Sequence, residues 1–368
     1  MKFTCNTSEL LRCVQIASRF TSSLISSHPS LQGLYIQVLN NTLFIRSTNL
    51  SDFFETTISV QAESDGDCIV DTKRFLEFIS LVSEKEMTIE LKDKGLVVIA
   101  GKAKGVFTTY VKGDYPSAVD FDVPLQVLPK EFLERLPFVL FATSKDDARP
   151  ILTGVLIKNS ENETHSVATD GFRLSLSISQ GSLLEGECII PARVLSEIVS
   201  LSKDIKEISF GYSAQHSCVM FSLGSMVIIS RCIEGEFPPY SKVIPEGFKT
   251  KSIFDRQSCI KNVKMTSIFA RDLSNIIILD ISSSGIVFGA KGTGIDIPQS
   301  KQDLIKNEGE DVKVAFNYRF VLDMLGAFDS EEIIVELSGS TAPVVFKSEK
   351  DTKKLHVIMP LRTEETEF

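Results

Sequence analysis

The feature that most constrains this chain is that it repeats itself at an interval of about 120 residues. Gly66-Asp67-Cys68-Ile69-Val70-Asp71-Thr72-Lys73-Arg74-Phe75-Leu76-Glu77-Phe78-Ile79-Ser80-Leu81 returns 120 residues later as Gly186-Glu187-Cys188-Ile189-Ile190-Pro191-Ala192-Arg193-Val194-Leu195-Ser196-Glu197-Ile198-Val199-Ser200-Leu201. A weaker third copy runs Val312-Lys313-Val314-Ala315-Phe316-Asn317-Tyr318-Arg319-Phe320-Val321-Leu322-Asp323-Met324-Leu325. Gly113-Asp114-Tyr115-Pro116 recurs as Gly235-Glu236-Phe237-Pro238 at an offset of 122, and Pro360 stands a further 122 residues on. Units of this size are too large for a solenoid, whose repeats run to about 20–50 residues. The expectation is three globular domains of one fold, 1–122, 123–248 and 249–368.

Within a unit the hydrophobic period changes from helix to strand. Helical patterns open the three copies at Ser8 to Phe20, Lys130 to Thr143 and Arg256 to Arg271. In the first copy Asn6 with Glu9 has the form of a capping box. Strands follow at Leu34 to Val38 and Leu43 to Arg46, then a second helix at Lys73 to Ser83 with Phe75, Leu76, Phe78, Ile79 and Val82 at helical spacing. Further strands are expected at Met87 to Leu91, Leu96 to Ala100 and Gly105 to Val111. The class is α+β, two helices against antiparallel strands in each unit.

Motifs of catalysis are scarce. Four histidines (His28, His165, His216 and His356) form no metal-ligand spacing, and Gly292-Thr293-Gly294 lacks the third glycine of a dinucleotide loop. Neither a metal nor a cofactor is expected. The seven cysteines are an odd number without a Cys-x-x-Cys pair, so reduced thiols are expected. No apolar run is long enough to cross a bilayer, and the N-terminus has no signal-peptide core, so a membrane is not an expected partner.

Charge is more informative. With 39 Lys and Arg against 48 Asp and Glu, the net charge is −9. A protein gripping nucleic acid with its whole surface would be basic. Cations are instead concentrated on the helices: Arg12, Arg19, Lys73 and Arg74 in the first copy, Lys130, Arg135 and Arg193 in the second, Arg256, Lys261, Lys264 and Arg319 in the third. The segment from Arg256 to Arg271 holds no acid at all. Local ion pairs are one account, because Glu77, Glu197 and Asp323 sit four residues beyond Lys73, Arg193 and Arg319. A shared basic surface inside an acidic protein accounts for the whole set.

Ala168-Thr169-Asp170-Gly171-Phe172-Arg173-Leu174 resembles the Ala-Thr-Asp-Gly-x-Arg-Leu signature of the bacterial DNA polymerase III beta subunit family, the sliding clamps. Glu236-Phe237-Pro238-Pro239-Tyr240 with Val243-Ile244-Pro245, the opening Met1-Lys2-Phe3-Thr4, and Val357-Ile358-Met359-Pro360-Leu361-Arg362 also resemble that family, in order and over the whole chain. The resemblance implies a non-catalytic, cytoplasmic, nucleoid-associated processivity factor. It implies a head-to-tail homodimer of six domains closed into a ring around duplex DNA, with the helical cations facing the hole. Phe107 on one side and Ile268 with Phe269 on the other are expected at the ring joint. Implied partners are the replicative polymerase, the clamp loader and other proteins carrying a Gln-Leu-x-Leu-Phe-like segment.

By the same resemblance, that segment binds a pocket lined by Leu152, Thr169, Gly171, Phe172, Arg173 and Leu174 from the middle unit. Pro238, Lys242 and Val243 follow, and Asn317, Phe320, Pro343, Val357, Ile358, Met359, Pro360, Leu361 and Arg362 complete it. Phe172, Lys242 and Phe320 depart from the family's common His, Arg and Tyr. The loop from Thr21 to Ser27 lacks the cation the family often carries there. Two other readings stay open on the residues: an enzyme built on Asp146-Asp147, and a monomeric scaffold that has the pocket without the ring.

Overall fold

The computed structural model describes residues 1–22, 29–110, 113, 115–117, 121–271, 275–290 and 299–363. Part of the Thr21 to Ser27 loop, the Gly292-Thr293-Gly294 segment and the chain after Thr363 therefore lie outside the described residues.

Seven α-helices occur among the described residues: α1 (Thr7–Ala17), α2 (Thr72–Ser80), α3 (Lys130–Arg135), α4 (Pro137–Leu140), α5 (Ala192–Leu201), α6 (Arg256–Ala270) and α7 (Tyr318–Ala327). Side chains cap four of them. Asn6 accepts from the Glu9 amide, Asp71 from Arg74, Asp255 from Ser258 and Asn317 from Arg319, each satisfying one otherwise orphaned amide. The helix expected from Lys130 to Thr143 is instead two short pieces. Pro137 brings no amide hydrogen and its ring crowds the preceding turn, so α3 stops and α4 starts again at the proline.

The chain packs as two compact units, Met1–Leu128 with Ser202–Cys232, and Pro129–Leu201 with Ile233–Phe368. In the first, a five-stranded antiparallel sheet runs Gln61–Ser64, Lys2–Asn6, Glu86–Lys92, Gly95–Ala100, Ala103–Phe107. A nine-stranded sheet runs Thr109–Tyr110, Gly66–Asp71, Gly33–Leu39, Thr42–Thr48, Asp52–Ser59, Met226–Arg231, Cys218–Leu223, Ser209–Ser213, Gln126–Val127. Helices α1 and α2 pack together, with Leu10, Val14, Phe75 and Ile79 fully buried and Phe20 stacked on Phe54 at 5.4 Å.

The second unit has the same plan. Its nine-stranded sheet runs Glu187–Pro191, Gly154–Ser160, Glu163–Thr169, Arg173–Gln180, Lys354–Ile358, Val344–Lys347, Glu332–Leu337, Thr250–Asp255, Lys306–Gly309. A four-stranded sheet runs Gln299–Gln302, Gly285–Ala290, Ile276–Ser282, Val312–Asn317. In both large sheets a strand of one repeat pairs with a strand of the next. Asp52–Ser59 pairs with Met226–Arg231, and Arg173–Gln180 with Lys354–Ile358. The middle repeat thereby contributes strands to both units.

One expected strand, Gly105 to Val111, is two. Ala103–Phe107 pairs with Gly95–Ala100 in the small sheet, while Thr109–Tyr110 pairs with Gly66–Asp71 in the large one; Val111 lies outside the described residues. Gly95 permits the crossing: at φ 124° a Cβ there would stand 2.2 Å from the Phe107 carbonyl oxygen. All seven cysteines are free thiols.

Candidate functional site: an apolar cleft in the second unit

The strand pair Glu163–Thr169 and Arg173–Gln180 is joined by a tight loop, and that loop builds one wall of a cleft of about 820 Å³. The Thr169 hydroxyl donates to the Arg173 carbonyl (2.6 Å) and accepts from the Gly171 amide (3.0 Å). The Asp170 carboxylate accepts from the Phe172 and Arg173 amides at 2.9 and 3.0 Å. Gly171 sits at φ 93°, where a side chain is strained. A further bond, from the Met359 amide to the Phe172 carbonyl (2.9 Å), ties the loop to the last strand.

The cleft is lined by Leu152, Thr169, Gly171, Phe172, Arg173 and Leu174, by Pro238 and Val243, and by Pro343, Val357 and Met359. Below it lies a buried cluster including Leu156, Val167, Leu176 and Phe237. Such an apolar wall with few polar groups suits an aliphatic or aromatic anchor. Phe172 is 55% exposed at the mouth, an uncommon position for a phenylalanine.

Sequence reasoning missed Ala148, Arg149, Pro150, Ile151, Glu236 and Tyr240. The repeat carried a signal for the first group. Pro150 opens a 3₁₀ turn, and 121 residues earlier Pro29 opens another. Glu236 and Tyr240 lie in a segment already singled out. The Tyr240 hydroxyl is 3.0 Å from Nδ1 of His165; burial lowers the His165 pKa and raises that of Tyr240.

Other expected lining residues stand elsewhere. Asn317 caps α7, Ile358 is fully buried in the sheet, and the Leu361 amide donates to the Ala315 carbonyl. Lys242 and Arg362 are exposed, and Pro360 is half-buried; neither they nor Phe320 line the cleft. Phe320 lies under Arg173, whose guanidinium carbon is 4.6 Å from the ring centroid.

Arg173 itself is consumed internally. Its side chain is 9% exposed and donates to Asp170 (3.0 Å), to Asp323 on α7 (2.7 Å) and to the Phe141 carbonyl beyond α4 (2.8 Å). It braces the wall. Asp323 therefore pairs with Arg173, not with Arg319 one turn earlier as the local ion-pair account had it.

The helical cations divide in the same way. Arg135 binds Glu131 and, through both terminal nitrogens, Asp351; Arg256 donates to the Leu325 carbonyl at the end of α7. Both are structural ties, which corrects their expected place on an open basic surface. Arg12 pairs with Asp204 and Lys130 with Glu134 at exposed positions. Arg19, Lys73, Arg74, Arg193, Lys261, Lys264 and Arg319 are exposed. On α6, Met265, Ile268 and Phe269 are exposed apolar residues. Phe107, expected at the same kind of surface, is instead 8% exposed and packs edge-on against Phe75 and Phe78. Its strand turns Val106 outward in its place. Asp146 closes a turn by accepting from the Ala148 amide, and no cluster able to hold a metal occurs among the described residues.

Three family descriptions match successive stretches of the chain: DNA polymerase III beta subunit, N-terminal domain, over residues 1–120; central domain over 126–239; C-terminal domain over 241–362. The chain belongs to the DNA polymerase III beta subunit family. Its function is that of a sliding clamp, a non-catalytic processivity factor of replication, which places it in the cytoplasm. The Staphylococcus epidermidis beta sliding clamp is 26% identical over 353 residues, covering 91% of this chain and 92% of that one. Among solved beta subunits, that of Thermotoga maritima superposes with a TM-score of 0.91 at 24% identity, covering 98% of this chain and 99% of the other. The Bacillus subtilis clamp gives 0.91 at 23% identity, covering 99% of each.

Proposed function

We propose that two copies of this chain join head to tail into a nucleoid-associated ring around duplex DNA. Its three repeats, 1–122, 123–248 and 249–368, serve as the domains. The cleft of the second unit tethers the replicative polymerase, the clamp loader and other partners by a short Gln-Leu-x-Leu-Phe-like segment. The observation that carries this reading is the cleft itself: about 820 Å³, apolar, and framed by a loop whose Gly171, Phe172 and Arg173 amides are held by the Thr169 and Asp170 side chains. A Caulobacter crescentus clamp carries polyethylene glycol at its beta-motif tethering region, and a Pseudomonas aeruginosa clamp has been solved bound to griselimycin. Phe172 and Met359 are the proposed contacts for the partner's aromatic and leucine side chains. Burying two such side chains contributes on the order of 3–6 kcal/mol before ordering costs, which suits an exchangeable micromolar contact.

The exposed cations Lys73, Arg74, Arg193, Lys261, Lys264 and Arg319 face DNA in this proposal, offsetting phosphate charge through loose contacts that permit sliding. Ile268 and Phe269, with Met265, form the apolar part of the ring joint in the third repeat. The edge strand Ala103–Phe107 supplies the other side through its backbone and Val106.

Met359→Asp tests the tether. Fluorescence anisotropy of a labelled Gln-Leu-x-Leu-Phe peptide should show binding reduced at least about a hundredfold, because a charge is buried without a partner. Sedimentation should show the dimer unchanged. Undiminished peptide affinity would remove the assignment.

A further inference from the structure

The loop that frames the cleft is built twice. At an offset of 121, Thr48-Asn49-Leu50-Ser51-Asp52-Phe53 in the first unit copies Thr169-Asp170-Gly171-Phe172-Arg173-Leu174. The Thr48 hydroxyl donates to the Asp52 carbonyl (2.7 Å) and accepts from the Leu50 amide (3.0 Å). The Asn49 side-chain oxygen accepts from the Ser51 and Asp52 amides at 3.0 and 2.7 Å. Leu50 takes φ 77° where Gly171 has 93°. The Arg231 amide donates to the Ser51 carbonyl at 2.9 Å, as Met359 does to Phe172. Pro116 stands in for Pro238 at an offset of 122. A cleft of about 490 Å³ opens here too, walled by Phe53, Pro116, Met220, Val227 and Ile229.

The floors differ. Beneath the larger cleft the cross-strand neighbours Leu156, Val167 and Leu176 are buried and apolar. Their counterparts, again at 121, are Tyr35, Arg46 and Glu55, paired across the same three strands and lining the smaller cleft. Arg46 is ion-paired with Glu55, with side chains 30% and 28% exposed, and its guanidinium carbon lies 5.6 Å from the Tyr35 and Phe44 ring centroids. Apolar walls over an accessible ion pair present one donor and one acceptor without net charge.

We infer that this smaller cleft is a second peptide-docking site, selective for a partner segment that inserts a tyrosine. The ring of such a residue packs on Val227, Ile229 and Met220. Its hydroxyl donates to Glu55 and accepts from Arg46, so both members of the pair keep a partner. A carboxylate or ammonium would match one member and oppose the other, and would lose its hydration as well. Phenylalanine would cover the pair without satisfying it. That the frame serves peptides at all rests on the reading of the larger cleft.

The test uses the full chain with labelled methionine and isoleucine methyls, and two probes, acetyl-Ala-Tyr-Ala-amide and its phenylalanine counterpart. The tyrosine probe should shift the Met220 and Ile229 methyl signals saturably, and the phenylalanine probe should bind roughly tenfold more weakly. Val227→Trp, which fills the cleft, should remove these shifts yet leave Gln-Leu-x-Leu-Phe binding as in the wild type. If that variant fails to fold, Arg46→Met should abolish the preference for tyrosine over phenylalanine. No cleft-methyl shift, shifts that persist in Val227→Trp, or equal binding of the two probes would overturn the inference. If the tyrosine probe behaves as stated but the Gln-Leu-x-Leu-Phe peptide ignores Met359→Asp, the reading of the larger cleft falls and this one stands.

Discussion

Two strand junctions, Asp52–Ser59 on Met226–Arg231 and Arg173–Gln180 on Lys354–Ile358, share loop bonding, register and the amide that pins the loop. They differ in the side chains set around that frame, in the floor of each cleft and at the junction itself. Arg173 in one is Asp52 in the other. The facing pair Ser175 and His356 in one is Phe54 and Ile228 in the other. A backbone frame can thus be kept while the chemistry around it is rewritten, because loop geometry depends on Thr and Asn or Asp hydrogen bonds and not on the cleft-facing residues.

The largest expected contrast is between Arg173→Ala and Asp52→Ala. Arg173 binds two carboxylates and a carbonyl from three separate segments, so its loss should cost about 3–5 kcal/mol in denaturant unfolding. The Asp52 side chain accepts from the uncharged Asn49 and Ser230 side chains, and its loss should cost about 1–3 kcal/mol. Equal costs would mean that the brace in the second unit is not what distinguishes the two junctions.

A smaller contrast is written in pH. His356 is fully buried, with Nδ1 bonded to the Ser175 hydroxyl at 2.7 Å and the Phe141 ring alongside. Burial, with Arg173 near it, holds its pKa down at about 3 from 6.5. The folded chain therefore stays unprotonated there while the unfolded chain takes up a proton. Stability should be full above pH 6.5 and decline by one proton's linkage as pH falls toward 3. His356→Leu should flatten that decline by one proton, whatever it does to stability at neutral pH. Parallel stability–pH curves for the two proteins would contradict this.

Much of this was legible in the sequence because it is local or periodic. Asn6 caps α1 as the Asn-x-x-Glu spacing indicated, and the expected strands from Leu34 to Ala100 lie inside observed ones. The offset that aligned the repeats also aligns the two loops. What was not legible depends on distant partners. Arg135 reads as a surface cation until Asp351, 216 residues away, is seen to hold it. Arg256 depends likewise on a carbonyl 69 residues on. Phe107 sits in an alternating run that resembles one edge strand, but the chain changes sheets there and turns the ring inward. The break before α4 was legible in principle, because Pro137 stands inside the expected helix.

In the proposed ring the chain holds DNA by encirclement and not by affinity, in keeping with its net charge of −9. The most direct measurement places the protein on a nicked circular plasmid with its cognate loader, then cuts the plasmid once. Retention on the circle at moderate salt is expected, followed after cutting by release within the time needed to slide off the new ends. Equal retention on circular and linear DNA, or equally rapid loss from both, would contradict it.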